Sequence, residues 1–295
     1  MNQSATQLSA LTRIFSSAVY QGLARKGRSA LFRRLIDITG LESRCESNGT
    51  VADSFDAAFD ILKRGGFRDQ YIYRSALTQN ILLGTHSLRS ASMLSEFRAG
   101  KSRTDLVILN GTATAYEIKS ERDTLVRLAN QIDNYQRVFA KIYVIASDRQ
   151  FDEVLNMLPI EVGVMSLSPR LKISTRRKAI ETFDRICPLT IFESLRTAEA
   201  MAILKAHGIA VPEVSNTKIR SVMRAAFSDL DPKQLHTVMV RTMKQTRNLA
   251  ALSELVEQVP KSLHAAALST PIRKKDHERL TEALRLPLSS TRAWN

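Results

Sequence analysis

The hydrophobic pattern changes its period in the middle of this chain, and that change restricts the possible folds more than any other feature. Residues 104–109 and 113–119 are short apolar runs rich in β-branched residues, which is typical of strands. Residues 123–140 return to the spacing of an amphipathic helix, and apolar runs at 141–147 and 162–168 indicate two buried strands. Strands that alternate with helices predict an α/β protein with a mixed sheet and helices on both faces.

The segments on either side of these strands have helical spacing. Before the strands, we predict helices over residues 6–20, 23–39, 54–66, 74–83 and 90–100. After residue 190 we find no convincing strand, and we predict helices over 192–208, 216–230, 231–248, 250–268 and 274–286. The strongly basic stretch 170–183 links the two parts. We therefore divide the chain into an N-terminal helical region (1–50), a core (51–175) and a C-terminal helical region (190–295).

The overall charge predicts a polyanionic partner. The 295 residues carry a formal net charge of +14, and 44% of them are hydrophobic, enough to bury a core. The positive excess is spread along the chain, so folding must assemble any basic surface, and nucleic acid is the expected partner. We expect no membrane association, because no long basic amphipathic helix and no apolar run of roughly 20 residues occurs. Two cysteines without metal-ligand spacing and no signal peptide favour the cytoplasm.

Three charged residues lie within the first two predicted strands. Glu117 and Lys119 are two residues apart, so both point to one face, while Ile118 points into the packing. A lysine on a buried strand face needs an anionic neighbour, and Asp105 adds a second carboxylate. A divalent cation would relieve the repulsion between the carboxylates, and hard oxygen ligands favour Mg²⁺ or Mn²⁺. An ordinary ion-paired strand is the alternative interpretation of the same three residues.

The turn between the two runs decides whether the carboxylates can meet. A two-residue turn at Asn110-Gly111 would put Asp105 and Glu117 on opposite faces of the sheet. A three-residue loop that ends at Gly111, with the glycine in a left-handed bulge, would put both on one face. We predict the bulged loop, or a comparable irregularity, if the carboxylates form a site.

At this point the sequence resembles a known family. Asp105, eleven further residues and then Glu117-Ile118-Lys119 resemble the motif of the PD-(D/E)XK nuclease superfamily, and the surrounding order of helix, hairpin, helix and strand matches its core over about residues 90–168. The stretches "SEFRAGKSRTD" and "YEIKSERD" are also similar to those of bacterial nuclease-like proteins found near phages or mobile elements.

Residues outside the motif extend the resemblance. Gln131 and Tyr135 form Gln-x-x-x-Tyr in the following helix, similar to the RecB-like branch of the superfamily. Glu96 lies where many members keep a glutamate on the helix before the hairpin. Thr104 departs from the pattern, because it stands where the family name implies proline.

The resemblance implies a restriction-endonuclease-like core that hydrolyses phosphodiester bonds with the help of a metal, and DNA is the expected substrate by family analogy. Asp105, Glu117 and the backbone carbonyl of Ile118 would hold Mg²⁺ or Mn²⁺. Glu96 would hold a water molecule or a second ion. On this interpretation the chain is a metal-dependent nuclease and a hydrolase.

The remaining residues of the motif would serve the substrate. Lys119 would orient the attacking water and offset negative charge, and Gln131 and Tyr135 would position Lys119 or the substrate backbone. A packed tyrosine beside an exposed amide is the alternative for the last two. Three arginines are candidate phosphate contacts and equally ordinary exposed charges: Arg103, Arg122 and Arg127.

Two other functions remain open from the sequence. The chain could bind nucleic acid without cleaving it, or it could keep a nuclease-like fold for interaction with proteins. The basic C-terminal helices could contact nucleic acid, a protein partner or a second copy of the chain. A role in defence against phage, or in the biology of a mobile element, is a hypothesis that depends on the resemblance.

Overall fold

The structure is a computed structural model that describes residues 4–211 and 214–294, and a six-stranded mixed sheet lies at its centre. The strands are β1 (Ser92–Ala99), β2 (Ser102–Leu109), β3 (Ala113–Lys119), β4 (Lys141–Ala146), β5 (Gly163–Leu167) and β6 (Ile173–Arg177). They lie side by side in the order of the sequence. Strands β1, β2 and β3 form an antiparallel meander, β4 and β5 run parallel to β3, and β6 returns antiparallel to β5.

Helices cover both faces of the sheet, so the predicted α/β class with a helix-flanked mixed sheet is confirmed. The helices are α1 (Ala5–Ile14), α2 (Ser17–Lys26), α3 (Ala30–Thr39), α4 (Val51–Leu62), α5 (Gln70–Leu77), α6 (Leu83–Thr85), α7 (Leu128–Gln136), α8 (Phe151–Met157), α9 (Pro188–Ser194), α10 (Thr197–Ala206), α11 (Asn216–Ser228), α12 (Pro232–Thr246), α13 (Ser253–Gln258), α14 (His264–Ser269) and α15 (His277–Arg285). A five-residue π-helical turn, Thr78–Leu82, joins α5 to α6. Within the described part of the chain, every helix is too short or too polar to cross a bilayer.

Two apolar clusters hold the helices against the sheet. One face packs against α1–α5 and α13–α15, and its aromatic centre includes Phe32, whose ring stacks on Phe55 and lies against Trp294. The opposite face packs against α7 and α9–α12. The chain from residue 190 onward therefore contributes to both clusters. The division into three regions at residues 50, 175 and 190 stays a prediction.

The loop between β2 and β3 has three residues, as predicted, but it lies one residue further along the chain. Leu109 pairs with Ala113, so the loop is Asn110–Thr112, and the Asn110 N–H donates to the Thr112 carbonyl at 3.2 Å. Gly111 has φ 137°, a conformation that favours glycine. Odd-numbered residues pair with odd-numbered ones in this register, so position 105 comes opposite position 117.

The expected helix over residues 90–100 is wrong, because Ser92–Ala99 is the strand β1. Leu94 and Phe97, three residues apart, both join the cluster on the α7 face of the sheet, while Met93 joins the other cluster. This three-residue spacing arises because the strand is irregular at Glu96, where φ is 53°. The irregularity imitates helical spacing in the sequence.

A second strand was not expected from the sequence. Ile173–Arg177, inside the basic link 170–183, forms the edge strand β6. Its exposed residues are polar or basic, as is common for an edge strand, so the apolar pattern of a strand is missing.

Candidate active site

Glu117 and Lys119 form a buried ion pair on β3. Their side chains are 2% and 7% exposed, and the Lys119 ammonium donates to Glu117 Oε1 at 2.8 Å. The other carboxylate oxygen, Oε2, lies 2.7 Å from the hydroxyl of Tyr135, which shares its proton between this oxygen and a backbone carbonyl of β2. The sequence placed Glu117 and Lys119 on one strand face, and the contact between them follows from that placement.

Helix α7 closes the site from above the sheet. Leu128 and Ile132 pack into the apolar cluster, which directs Gln131 and Tyr135 toward β3. Gln131 Oε1 accepts a hydrogen bond from Lys119 at 2.9 Å. The ammonium is therefore held between a carboxylate and an amide oxygen.

The hydroxyl of Tyr135 links three elements. It lies 2.7 Å from Glu117 Oε2 and 2.6 Å from the backbone carbonyl of Arg103 on β2, so both oxygens compete for its single proton. Burial, together with the neighbouring Glu117, raises the pKa of Tyr135, so the group remains a hydrogen-bond donor at neutral pH.

Asp105 is half-buried at the point where β2 and β3 stop pairing. Its Oδ2 accepts a hydrogen bond from the backbone N–H of Ile118 at 2.7 Å, and Oδ1 accepts one from the side-chain amide of Gln70. The carbonyl of Ile118 points to the same side of β3 as its N–H, because the two groups of one strand residue face the same neighbour. Asp105, Ile118 and Glu117 therefore form one group of oxygen atoms on adjacent strands.

The electrostatics of Asp105 show that the two carboxylates interact. Burial raises the pKa of Asp105 to about 7, and the nearby negative charge of Glu117 contributes to the shift. The Ile118 N–H, Lys119 and Arg74 act in the opposite direction and do not cancel it. A carboxyl group with a pKa near neutrality is typical of functional sites, although structural networks can produce the same shift.

Glu96 lies on strand β1, so its expected place on a helix before the hairpin is wrong. Ser95 pairs with Leu106 and Phe97 pairs with Thr104, which puts Glu96 opposite Asp105 at a gap in the ladder. The Glu96 side chain is largely exposed, and one carboxylate oxygen lies 3.7 Å from Arg74. The structure thus brings Glu96 near the site but turns its carboxylate toward an arginine.

The three candidate phosphate contacts lie on the surface around this group. Arg103, Arg122 and Arg127 are all exposed. Arg122 donates to the backbone carbonyl of Phe67 at 2.8 Å, which ties the segment after β3 to the segment before α5. Arg127 immediately precedes α7. Their positions fit either phosphate contacts or ordinary exposed charges.

Two residues of α5 were not anticipated as part of the site. Gln70 holds Asp105 and Arg74 faces Glu96, although both precede β1 by many residues. Asp69 caps this helix, and its Oδ1 accepts from the N–H of Ile72. The cap signal could have located the start of α5 in the sequence, but no local pattern shows which strand a helix contacts.

The oxygen atoms fit a divalent cation only in part. Asp105, Glu117 and the Ile118 carbonyl supply hard donors, and Mg²⁺ is commonly bound through one or two carboxylates with water completing its shell. Over residues 4–211 and 214–294, however, no three His, Cys, Asp or Glu side chains converge as a metal-binding group. Lys119 is the cation that Glu117 contacts here.

Comparison with known proteins identifies the family. Residues 66–270 match the family described as Bacteriophage P4 protein cII. Protein cII of Enterobacteria phage P4 is 26% identical over 147 residues, which are 48% of this chain and 53% of that protein. The chain thus spans about half the length of the curated relative that it matches.

A solved protein of unknown function from Silicibacter pomeroyi is also similar, with 20% identity over 42% of this chain and 86% of that one. Its TM-score of 0.28 is too low for the two folds to be compared. The family match covers α5, the complete sheet and the helices up to α14, including every residue of the candidate site. The chain belongs to the Bacteriophage P4 protein cII family.

Proposed function

We propose that this protein is a metal-dependent nuclease that hydrolyses phosphodiester bonds of DNA. The observation that carries the proposal is the hydrogen-bonded group of Glu117, Lys119, Gln131 and Tyr135 on β3 and α7, with the Asp105 carboxylate held on β3 by the Ile118 N–H. These five residues are among the six that were selected from the sequence by their resemblance to the PD-(D/E)XK nucleases, and the sixth, Glu96, faces Arg74 instead. Their convergence supports that resemblance.

Each residue has a role that its contacts support. Asp105, Glu117 and the Ile118 carbonyl would hold Mg²⁺ or Mn²⁺, and the Ile118 N–H fixes the Asp105 carboxylate. When bound, such an ion lowers the pKa of a coordinated water and offsets charge on the phosphate. Lys119 supplies a positive charge beside the scissile phosphate, and Gln131 keeps the ammonium in place. Tyr135 orients Glu117 through its hydroxyl.

Charge and relationship support DNA as the substrate. The net charge of +14 favours a polyanion, and Arg103 and Arg127 are exposed near the site. The curated relative is a phage protein, which supports our expectation of a phage or mobile-element setting.

A defence function is part of this proposal, and a phage-challenge assay that compares the wild type with Lys119→Ala would test it. Equal survival would count against a catalytic role in defence.

A second candidate function is binding of nucleic acid or protein without catalysis. Both oxygens of Glu117 already have donors, Lys119 and Tyr135, and Glu96 faces Arg74. A site in which the ammonium permanently replaces a metal would be satisfied by these contacts. The protein would then bind its partner through a basic surface and would not cleave it.

The experiment that separates the two functions measures cleavage and binding with the same protein. Purified wild type, Glu117→Gln and Lys119→Ala are incubated with circular and linear plasmid DNA in Mg²⁺, in Mn²⁺ or in EDTA. Lys205→Ala, a change at an exposed lysine on α10, is the matched control. We expect metal-dependent cleavage by the wild type and the control, and a loss of about 100-fold or more in the two site variants.

The outcomes distinguish the candidates directly. Gel shifts by all four proteins without cleavage in either metal would overturn the nuclease and support the binding function. Cleavage that persists in Glu117→Gln and Lys119→Ala would place catalysis elsewhere. Cleavage of circular DNA would in addition identify an endonuclease.

A further inference from the structure

A cavity of about 780 Å³ lies on the face of the sheet opposite the α7 side and is separate from the candidate active site. It is lined by α4, by α5 with its π-helical extension, by the turn between β5 and β6, and by the segment before α14. Sites of this volume hold compact organic ligands in many proteins. None of the five residues that join in the candidate active site lines this cavity.

Two unusual backbone segments line the cavity and are fastened to each other. The π-helical turn Thr78–Leu82 carries Asn80, whose side-chain amide donates to the carbonyl of Ala76 at 2.8 Å and to that of Leu171 at 3.0 Å. Leu171, in the β5–β6 turn, has φ 56°, which is rare for a branched residue. π-helical turns and left-handed non-glycine residues concentrate at functional sites.

The charges around the cavity favour an anion. The charge of Lys63 is balanced by Asp60, whose Oδ1 lies 2.5 Å from the Lys63 Nζ. Three further cations at the rim are exposed and form no ion pair with the described residues: Arg170, Lys172 and Lys261. Asp56 is the remaining acid of the lining, so positive charge exceeds negative charge at the rim. Phosphate groups are the natural complement of such a cluster of flexible cations.

The uncharged polar atoms favour an organic group with hydrogen-bond donors. Because both amide hydrogens of Asn80 are directed to carbonyls, its oxygen is the free group, and it has no donor among the described residues. Ser262 is 3% exposed, lines the cavity and has a hydroxyl without a partner in the described chain. An unpaired buried hydroxyl such as that of Ser262 is unfavourable, and the half-buried Asn80 oxygen is open to a donor from a ligand. The half-buried ring of Phe59 supplies an apolar wall.

We propose that this cavity binds a nucleotide whose base carries an exocyclic amino group. The phosphate meets Arg170, Lys172 and Lys261 at the rim. The base packs against Phe59, and its amino group donates to the oxygen of Asn80. This binding site is independent of the proposed nuclease activity, because no residue that lines the cavity belongs to the group proposed for catalysis.

Isothermal titration of the full chain with cytidine and uridine monophosphates tests the proposal. The two nucleotides differ at the base position where cytosine has an amino group and uracil a carbonyl oxygen. We expect the cytidine nucleotide to bind about fivefold more tightly, the effect of one hydrogen bond. The double variant Lys172→Ala/Lys261→Ala should weaken binding at least about tenfold, because two charge-assisted contacts are lost. Lys205→Ala should bind as the wild type does.

Three results would overturn the proposal. No heat of binding with either nucleotide at millimolar concentration would show that the cavity takes no nucleotide. Equal binding of both nucleotides and inorganic phosphate would show an anion site without base recognition. Loss of binding in Lys119→Ala but not in the double variant would assign the nucleotide to the candidate active site. Binding that persists in Lys119→Ala supports the cavity even where DNA cleavage is absent.

Discussion

Replacement of Lys119 by methionine tests whether the buried carboxylate of Glu117 needs the Lys119 ammonium for the stability of the fold. Methionine keeps most of the apolar stem of lysine and removes the ammonium, which lies 2.8 Å from Glu117 Oε1 and 2.9 Å from Gln131 Oε1. Because Glu117 is 2% exposed, its carboxylate would remain buried with its main positive partner gone. Breaking such a pair costs about 3–5 kcal/mol, a large part of the roughly 5–15 kcal/mol that stabilises a typical domain.

A double variant separates this effect from lost packing. In Glu117→Gln/Lys119→Met the carboxylate is neutral, so the uncompensated charge disappears and we expect recovery of at least about 2 kcal/mol relative to Lys119→Met alone. Urea unfolding followed by circular dichroism, in EDTA to exclude metal binding, measures all three free energies of unfolding. Lys205→Met on α10 is the exposed control, expected within about 0.5 kcal/mol of the wild type. A cost below about 1 kcal/mol for Lys119→Met would refute the reasoning, because that is the value of an exposed pair.

Two further predictions concern the groups around this pair. Burial and Glu117 raise the pKa of Asp105 to about 7, above its value of about 4 in an unfolded chain, so the folded protein holds a proton that the unfolded chain releases. The contribution of Asp105 to stability should therefore fall as the pH rises from about 4 to about 7, whereas buried His236, whose pKa is lowered to about 4, contributes in the opposite direction. The melting temperature of Asp105→Asn relative to the wild type should therefore rise across this range. An unchanged difference between the two proteins would contradict this assignment. Tyr135→Phe should lose about 1–3 kcal/mol, because a buried Glu117 oxygen loses its donor, whereas Tyr20→Phe should change little, since the Tyr20 hydroxyl has no partner among the described residues. Equal losses in the two variants, measured by urea unfolding, would contradict a specific role of the Tyr135 hydrogen bond.

The sequence predicted the part of the site that depends on local geometry. The two-residue separation of Glu117 and Lys119 and the four-residue separation of Gln131 and Tyr135 each fix a shared direction within one element. Asn110-Gly111 located the hairpin, and the odd-to-odd pairing followed although the loop is shifted by one residue. Periodicity and turn chemistry are properties of short segments, so they can be read without tertiary information.

The features that the sequence did not reveal depend on tertiary packing. Glu96 changes the face that β1 presents to the core, and this irregularity made a strand resemble a helix. Strand β6 lacks an apolar pattern because it is an exposed edge. The contact of Gln70 with Asp105 joins two elements that are distant in sequence, so it follows from how α5 packs against the sheet. No short-range pattern encodes these three features.

The charge balance of the site bears on the choice between a metal centre and a permanent ion pair. A self-sufficient ion pair would supply enough positive charge to keep its carboxylates ionised. Here one ammonium, Lys119, serves two carboxylates, and the pKa of Asp105 remains raised despite the additional influence of Arg74. Burial is the main cause of this raised pKa and the charge of Glu117 is the second, and a divalent cation held by Asp105 and Glu117 would favour the ionised form of Asp105. Since metal binding would then displace the proton from Asp105, affinity for Mg²⁺ should increase as the pH rises through 7, which a plain ion pair gives no reason to expect.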